Sequence, residues 1–233
     1  MKIILSITIF VFFVQTSSFA EPVLTFGRPH DPIAEFSSQM LVKAYTRIGY
    51  ELNFVDLPAA RSLMKSNNGS LDGEVNRIKG IEKEYDNLIM VPVPVNFFES
   101  VVFTKRHDFR VEGWASLKSF SIAIRIGAKF AEYRTAGMNV VKFSTYEKIF
   151  LLLYNDRYDI CVSSRITGLY QIKKQNLIGI KALDPPLETI NLYHYLHQKH
   201  KAMIPKISKV LQSMEQEGII HKERALFVSK LLE

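Results

Sequence analysis

The chain has 233 residues, of which 47% are hydrophobic and 23% charged, and it carries a formal charge of +7. This is globular composition and excludes a disordered tail. The basic residues are scattered among acidic ones with no basic stripe, which excludes a nucleic-acid-binding surface, and the lone cysteine, Cys161, excludes an internal disulfide.

In chain order, Lys2, the apolar run Ile3 to Val14 and the small-residue end Ser18-Phe19-Ala20 form a secretory signal peptide. The run is shorter than the roughly 20 apolar residues that span a bilayer. The mature chain is expected to start at Glu21, to reside in the periplasm, and to be soluble, with no membrane insertion. Val23 to Phe26 reads as a strand and Gly27-Arg28-Pro29-His30-Asp31-Pro32 as a loop. Ile33, Phe36, Met40, Leu41, Ala44, Tyr45 and Ile48 hold the three-and-four spacing of one buried helix face, which Gly49 ends. Leu52 to Val55 is the next strand, and Pro58 opens a short helix.

Leu88 to Val91 reads as a strand that Pro92 and Pro94 should interrupt, because proline has no N–H for a ladder. Phe97 to Thr104 resumes as an extended segment, and the polar Lys105-Arg106-His107-Asp108 marks a first crossing between lobes. A short helix (Trp114 to Leu117), a strand (Ser121 to Ile126), a helix (Lys129 to Ala136) and a strand (Val140 to Phe143) follow. Ser144-Thr145-Tyr146-Glu147 has the form of a capping box with Ser144 as the cap. Ile166 to Gln175 reads as helix and Ile178 to Leu183 as strand. After Pro185-Pro186, Thr189 to Leu196 makes the return crossing. The tail is helical, with Ile204, Ile207, Val210, Leu211 and Met214 on one face, a stop at Gly218 and a short last helix to Leu232.

One pattern occurs twice. Ala59 to Val75 and Tyr146 to Val162 each contain an apolar-striped helix, a polar turn (Asn67-Asn68-Gly69; Asn155-Asp156-Arg157), an Asp (Asp72; Asp159) and a short apolar run ending in polar residues and an Arg. Two such units predict two α/β lobes facing a cleft, with mixed, mostly parallel sheets and helices on both faces. Residues 21–104 and 191–233 would form one discontinuous lobe and 105–190 the other, joined by a two-strand hinge.

In open α/β sheets ligands lie beyond the carboxyl ends of the strands. That rule nominates Arg28, His30 and Asp31, Arg61, and Asn76 with Arg77 from the first lobe. From the second it nominates Arg125, Gly127 and Ala128, then Ser163, Ser164 and Arg165; Lys129 ranks below them. Several guanidiniums converging on one cleft favour an anionic ligand, since the planar fork fits a carboxylate or phosphate. The competing reading pairs each Arg with a nearby acid, Arg77 with Glu74 and Arg61 with Asp56.

The succession Leu57-Pro58-Ala59-Ala60-Arg61, Leu71-Asp72-Gly73-Glu74-Val75-Asn76-Arg77, Ser116-Leu117-Lys118, Tyr158-Asp159 and Met214-x-x-x-Gly218, behind an export signal, resembles bacterial extracellular solute-binding proteins of family 3. The resemblance spans nearly all of the mature chain. It implies a type II periplasmic two-lobe fold that closes on a small-molecule ligand and hands it to a permease, as in an ABC transporter, or to a sensor. It departs from the amino-acid-binding members: their carboxylate-binding Arg would fall near Glu84 and their amine-binding acid near Ser164. The same fold includes a cyclohexadienyl dehydratase, so an enzyme is the alternative, with Asp31, His30 and Glu74 as candidate acids. No phosphate loop or nucleophile elbow is present, and no cofactor is expected. His194, His197 and His200 fall at intervals of three, but no acidic or cysteine partner completes a ligand set, so no metal is expected either. A monomer is expected.

Overall fold

The computed structural model describes residues 22–233; the segment 1–20 expected to be an export signal lies outside them. β1 (Val23–Pro29) leads to α1 (Pro32–Thr46). Asp31 caps α1 by accepting the Ala34 N–H at 3.0 Å, and Pro32 sits in the first turn, where no N–H is needed. The strand runs on through Gly27-Arg28-Pro29, part of the segment expected to be loop, because the ladder with β2 (Glu51–Leu57) continues to Pro29↔Leu57. α2 (Ala59–Asn67) and β3 (Gly73–Ile78) complete a β-α-β-α-β unit.

β4 (Leu88–Thr104) follows. The second half repeats the order as β5 (Ile122–Arg125), α3 (Lys129–Arg134), β6 (Val140–Phe143), α4 (Tyr146–Tyr154) and β7 (Ile160–Ser164). Then come α5 (Arg165–Lys174), β8 (Lys181–Ala182), β9 (Glu188–His197), α6 (Ile204–Gln216) and α7 (Ile219–Leu232). Four details differ from the sequence reading. Thr145, not Ser144, caps α4, so the third helical residue is Lys148 and no Glu closes a box. The strand expected over Ile178 to Leu183 shrinks to the two residues of β8, since only Phe103 and Thr104 of β4 remain to pair with it. The last helix is long, at 14 residues. The fourth is β4, which is unbroken over 17 residues despite Pro92 and Pro94. Its register against β9 shifts between Met90 and Pro94 and again before Asn96, and such irregularities are where a strand tolerates a residue that cannot donate.

The sheet order β2-β1-β3-β9-β4-β7-β5-β6 is nearly a mirror image about the β9–β4 pair. β4 pairs with β9 up to Ser100 and with β7 from Ser100 onward, so these two long strands belong to both halves. The repeated Asp has the same task in each half. Asp72 Oδ2 accepts the Thr25 N–H at 2.7 Å at the start of β1, and Asp159 Oδ2 accepts the Ser121 N–H at 2.8 Å just before β5. One core packs α1 and α6 on the first half through Phe36, Met40, Leu41, Leu211 and Met214. Two more cover the faces of the second half, where Cys161 is buried. A fourth cluster joins the halves: Ile33 of α1, Phe98 of β4, Ile166 of α5 and Leu192 of β9, with Val228 and Leu231 of α7 against them.

Candidate functional site

Where the halves meet, a cavity of about 70 Å³ is lined by Asp31, Asn76 and Arg77 from the first half and Arg125, Gly127, Ala128, Lys129 and Ser164 from the second. Its apolar wall is Ile33, Ile78, Phe98, Phe130 and Leu192, with the Phe98 and Phe130 rings edge to face at 4.9 Å. Pro29, Asp31, Arg125 and Tyr146 also border a wider vestibule of about 570 Å³, which reaches Arg28, His30, Asp56 and Glu147. The cavity is thus the inner end of a cleft between the halves.

Arg77 enters this cavity from beneath. Glu74 and Arg77 are both on β3, at 0% and 7% side-chain exposure, in a place where an unpaired charge would cost several kcal/mol. Glu74 Oε1 accepts from Ser62 Oγ at 2.6 Å and Ser66 Oγ at 2.7 Å, and Oε2 accepts from Arg77 Nε at 2.8 Å. Arg77 Nη2 donates to Glu74 and to the Ala59 carbonyl at 3.1 Å. Nη1 alone has no protein partner among the described residues, and Arg77 lines the cavity. The guanidinium is therefore held on two edges with a third donor available.

Arg125, at the end of β5, crosses to the first half. Nη1 donates to Asp31 Oδ2 at 2.8 Å, and the guanidinium lies 4.5 Å over the Tyr146 ring. Burial works against its charge, but the Asp31 carboxylate more than compensates, and its pKa lies above the ordinary value. Nε is buried with no partner among the described residues. Lys129 makes a second crossing, to Glu84 at 2.7 Å. Burial again opposes the charge, and Glu84 with the neighbouring Tyr85 and Glu132 holds the ammonium firmly protonated. Gly127 also approaches the first half closely: at φ +78°, it packs against the backbone of Ala59 and Ala60 at the start of α2.

The remaining nominated residues are placed elsewhere. Arg28 is in the vestibule wall with His30 and is paired with Asp56 at 2.6 Å, because the β1–β2 register sets Arg28 opposite Asp56. That register gives Asp56 to Arg28 instead of Arg61, which is exposed. Arg165 is bound by Glu99 at 2.5 Å and Asp184 at 2.6 Å and does not border the cavity. Ser164 caps α5 and faces the cavity, so by strand alternation Ser163, opposite Val101, faces the α4 side. Asn76 borders the cavity while its amide nitrogen donates to Ser37 Oγ at 2.7 Å. The sequence reading missed the apolar wall. The spacing places Ile33 in a helix core and Phe98 in an extended segment, and neither pattern signals a cavity wall.

The candidate acids of an enzyme are all engaged or outside the cavity. Glu74 accepts three side chains, Asp31 accepts the Ala34 N–H and Arg125, and His30 is exposed in the vestibule. Of the spaced histidines, His194 donates through Nδ1 to the Glu74 carbonyl at 2.7 Å and accepts the Tyr45 hydroxyl at 2.9 Å, whereas His200 contacts Asp72 at 2.7 Å.

No protein-family profile matches the chain. An uncharacterized protein of Shewanella oneidensis is 25% identical over 214 residues, covering 87% of this chain and 81% of the relative. Among solved structures, a histidine kinase sensor domain with similarity to periplasmic binding proteins superposes with a TM-score of 0.76 at 16% identity, covering 88% of this chain and 95% of that one. The amino acid ABC transporter substrate-binding protein AbpA of Streptococcus pneumoniae, bound to L-arginine, gives 0.74 at 12% identity, covering 91% and 96%. The P235GK mutant of ArgBP from T. maritima gives 0.73 at 18%, covering 89% and 96%. With its mirrored sheet halves and shared β4–β9 pair, the chain has the two-lobe α/β fold of periplasmic binding proteins.

Proposed function

We propose that this protein captures a small polar, anionic solute between its lobes, as a periplasmic solute-binding protein of the family 3 type, and passes it to a membrane transporter or reports it to a sensor. Residues 21–104 and 191–233 act as one lobe and 105–190 as the other, and residues 1–20 direct export and are removed. The observation that carries this reading is Arg77: a buried guanidinium, fixed by Glu74 and Ala59, with Nη1 left to donate in a cavity that Arg125 and Lys129 close from the opposite lobe. A ligand touching both lobes binds the closed form better than the open one and so shifts the population toward closure. The solute-binding neighbours AbpA and ArgBP support the same reading of the fold.

Isothermal calorimetry of the mature chain against organic acids, amino acids and phosphorylated metabolites tests it. Saturable binding of an anion, with a rise in melting temperature, is expected. A folded sample that binds nothing across the panel refutes the proposal.

A further inference from the structure

We infer that the solute is a short monocarboxylate with an uncharged apolar tail and no ammonium group, an inference that rests on the proposed solute capture and narrows it. Three observations converge on this class. The first is charge. The cavity lining holds Arg77, Arg125 and Lys129 against a single acid, Asp31. Glu74 lies directly behind Arg77, while the partner of Lys129, Glu84, is 43% exposed at the rim. Lys129 is paired with Glu84 and, at 3.4 Å, with Glu132, and Arg125 with Asp31, so the donor left to the ligand is Arg77 Nη1, a single site that suits one carboxylate.

The second observation is the direction of the unused hydrogen-bonding groups. Arg77 Nη1 and Arg125 Nε are donors without protein acceptors among the described residues. The one lining carboxylate has both oxygens engaged, Oδ1 by the Ala34 N–H and Oδ2 by Arg125. Ser164 and Thr167 bond each other at 2.7 Å. The cavity therefore offers a donor to a carboxylate, whereas an ammonium would find as its one lining carboxylate Asp31, already ion-paired with Arg125, among three cationic side chains.

The third observation is size and wall. About 70 Å³ is roughly half of the ~150 Å³ apolar cavity that admits benzene, and it opens outward into the vestibule, so it suits a short ligand of about three to six heavy atoms. Ile33, Phe98, Phe130 and Leu192 face that volume with hydrocarbon, and a hydroxyl-rich or doubly charged tail would find no partner there.

Isosteric pairs test the inference directly, because propionate differs from glycine, and isobutyrate from alanine, by a methyl in place of the ammonium. Calorimetry on the mature chain is expected to show each carboxylate binding at least about 100-fold more tightly than its amino-acid isostere. A designed converse is Ser164→Asp, which keeps a good cap on α5 and adds a carboxylate to the cavity; it should raise the affinity for alanine relative to isobutyrate by about tenfold or more. Amino acids binding as well as the carboxylates, or a longer or phosphorylated anion binding where both pairs fail, overturns the assigned class and leaves solute capture standing. Failure of every solute, with the sample shown to be folded, overturns both.

Discussion

Replacing Gly127 by alanine should weaken ligand binding far more than it weakens folding. A Cβ built at Gly127 would lie 2.6 Å from the Ala60 nitrogen, 2.9 Å from Ala59 Cβ and 3.0 Å from the Ala59 carbonyl carbon, all across the cleft. Reaching an ordinary contact of 3.4 Å requires the lobes to retreat by about 0.8 Å at this point. Arg125 is two residues away, and the same retreat stretches its 2.8 Å bond to Asp31 to about 3.6 Å, beyond hydrogen-bonding range. Losing that partly buried pair costs the closed state about 2 kcal/mol, or about a thirtyfold rise in Kd. The open state is spared the clash and carries only the backbone strain of alanine at φ +78°. Gly137 supplies the control, since it has φ +80° and nothing within 4 Å of a built Cβ. Calorimetry should show Gly127→Ala weakened about thirtyfold and Gly137→Ala near the parent, with similar melting temperatures for the two variants. Small-angle scattering should show only Gly127→Ala as more open. Equal loss of affinity in both variants, or a fully closed Gly127→Ala, would refute the reasoning.

Three further outcomes are expected. Glu74→Gln leaves Arg77 buried without its counter-charge, so chemical denaturation should show a loss of about 3 kcal/mol and calorimetry a loss of ligand binding. His194 is fully buried, and burial lowers its pKa from 6.5 to about 4. The unfolded chain takes up a proton that the folded chain resists, so the contribution of His194 is complete above pH 6.5 and is lost as pH falls toward 4. The total is up to about 3 kcal/mol, and denaturation across that range should show a slope that His194→Gln removes. Asp159 has its pKa lowered, first by the Ser121 N–H and hydroxyl and then by His107. Its stabilising effect is present above the ordinary carboxylate pKa of 3.8 and disappears as pH falls through the lower folded value. Asp159→Asn should therefore cost about 1 to 2 kcal/mol at pH 7, and the gap should close in acid.

The elements with strong period were legible from residue order alone. The stripe of α1, the strand β6 and the doubled Asp units all stand where the pattern puts them, and the two Asp residues play equivalent parts because each ties its own unit to the first strand of its half. Less legible was everything decided by a distant partner. Its place near the start of its helix nominates Arg61 for the cleft, yet Ala59, Ser62, Leu63 and Ser66 are the buried face of α2. That spacing turns Arg61 outward, a conclusion available from the helical period. The pairing of Asp56 with Arg28 needed the β1–β2 register, which sequence does not supply. Pro92 and Pro94 argued locally against a strand, and the long ladder with β9 accommodated both through shifts in register. The apolar wall was hidden because residues such as Ile33 and Phe98 carry the same hydrophobic signal whether they line a core or a cavity.

The two lobes are tied by hydrogen-bonded ribbon, since β4 and β9 stay laddered to one another from Leu88 through Ser100. Opening about that ribbon would move each half as a unit. Asp31 and Arg125, Glu84 and Lys129, and Gly127 and Ala60 must then come into reach together. Interference at any one of these places is felt at all of them, and a small guest could command the posture of the whole molecule from a few contacts.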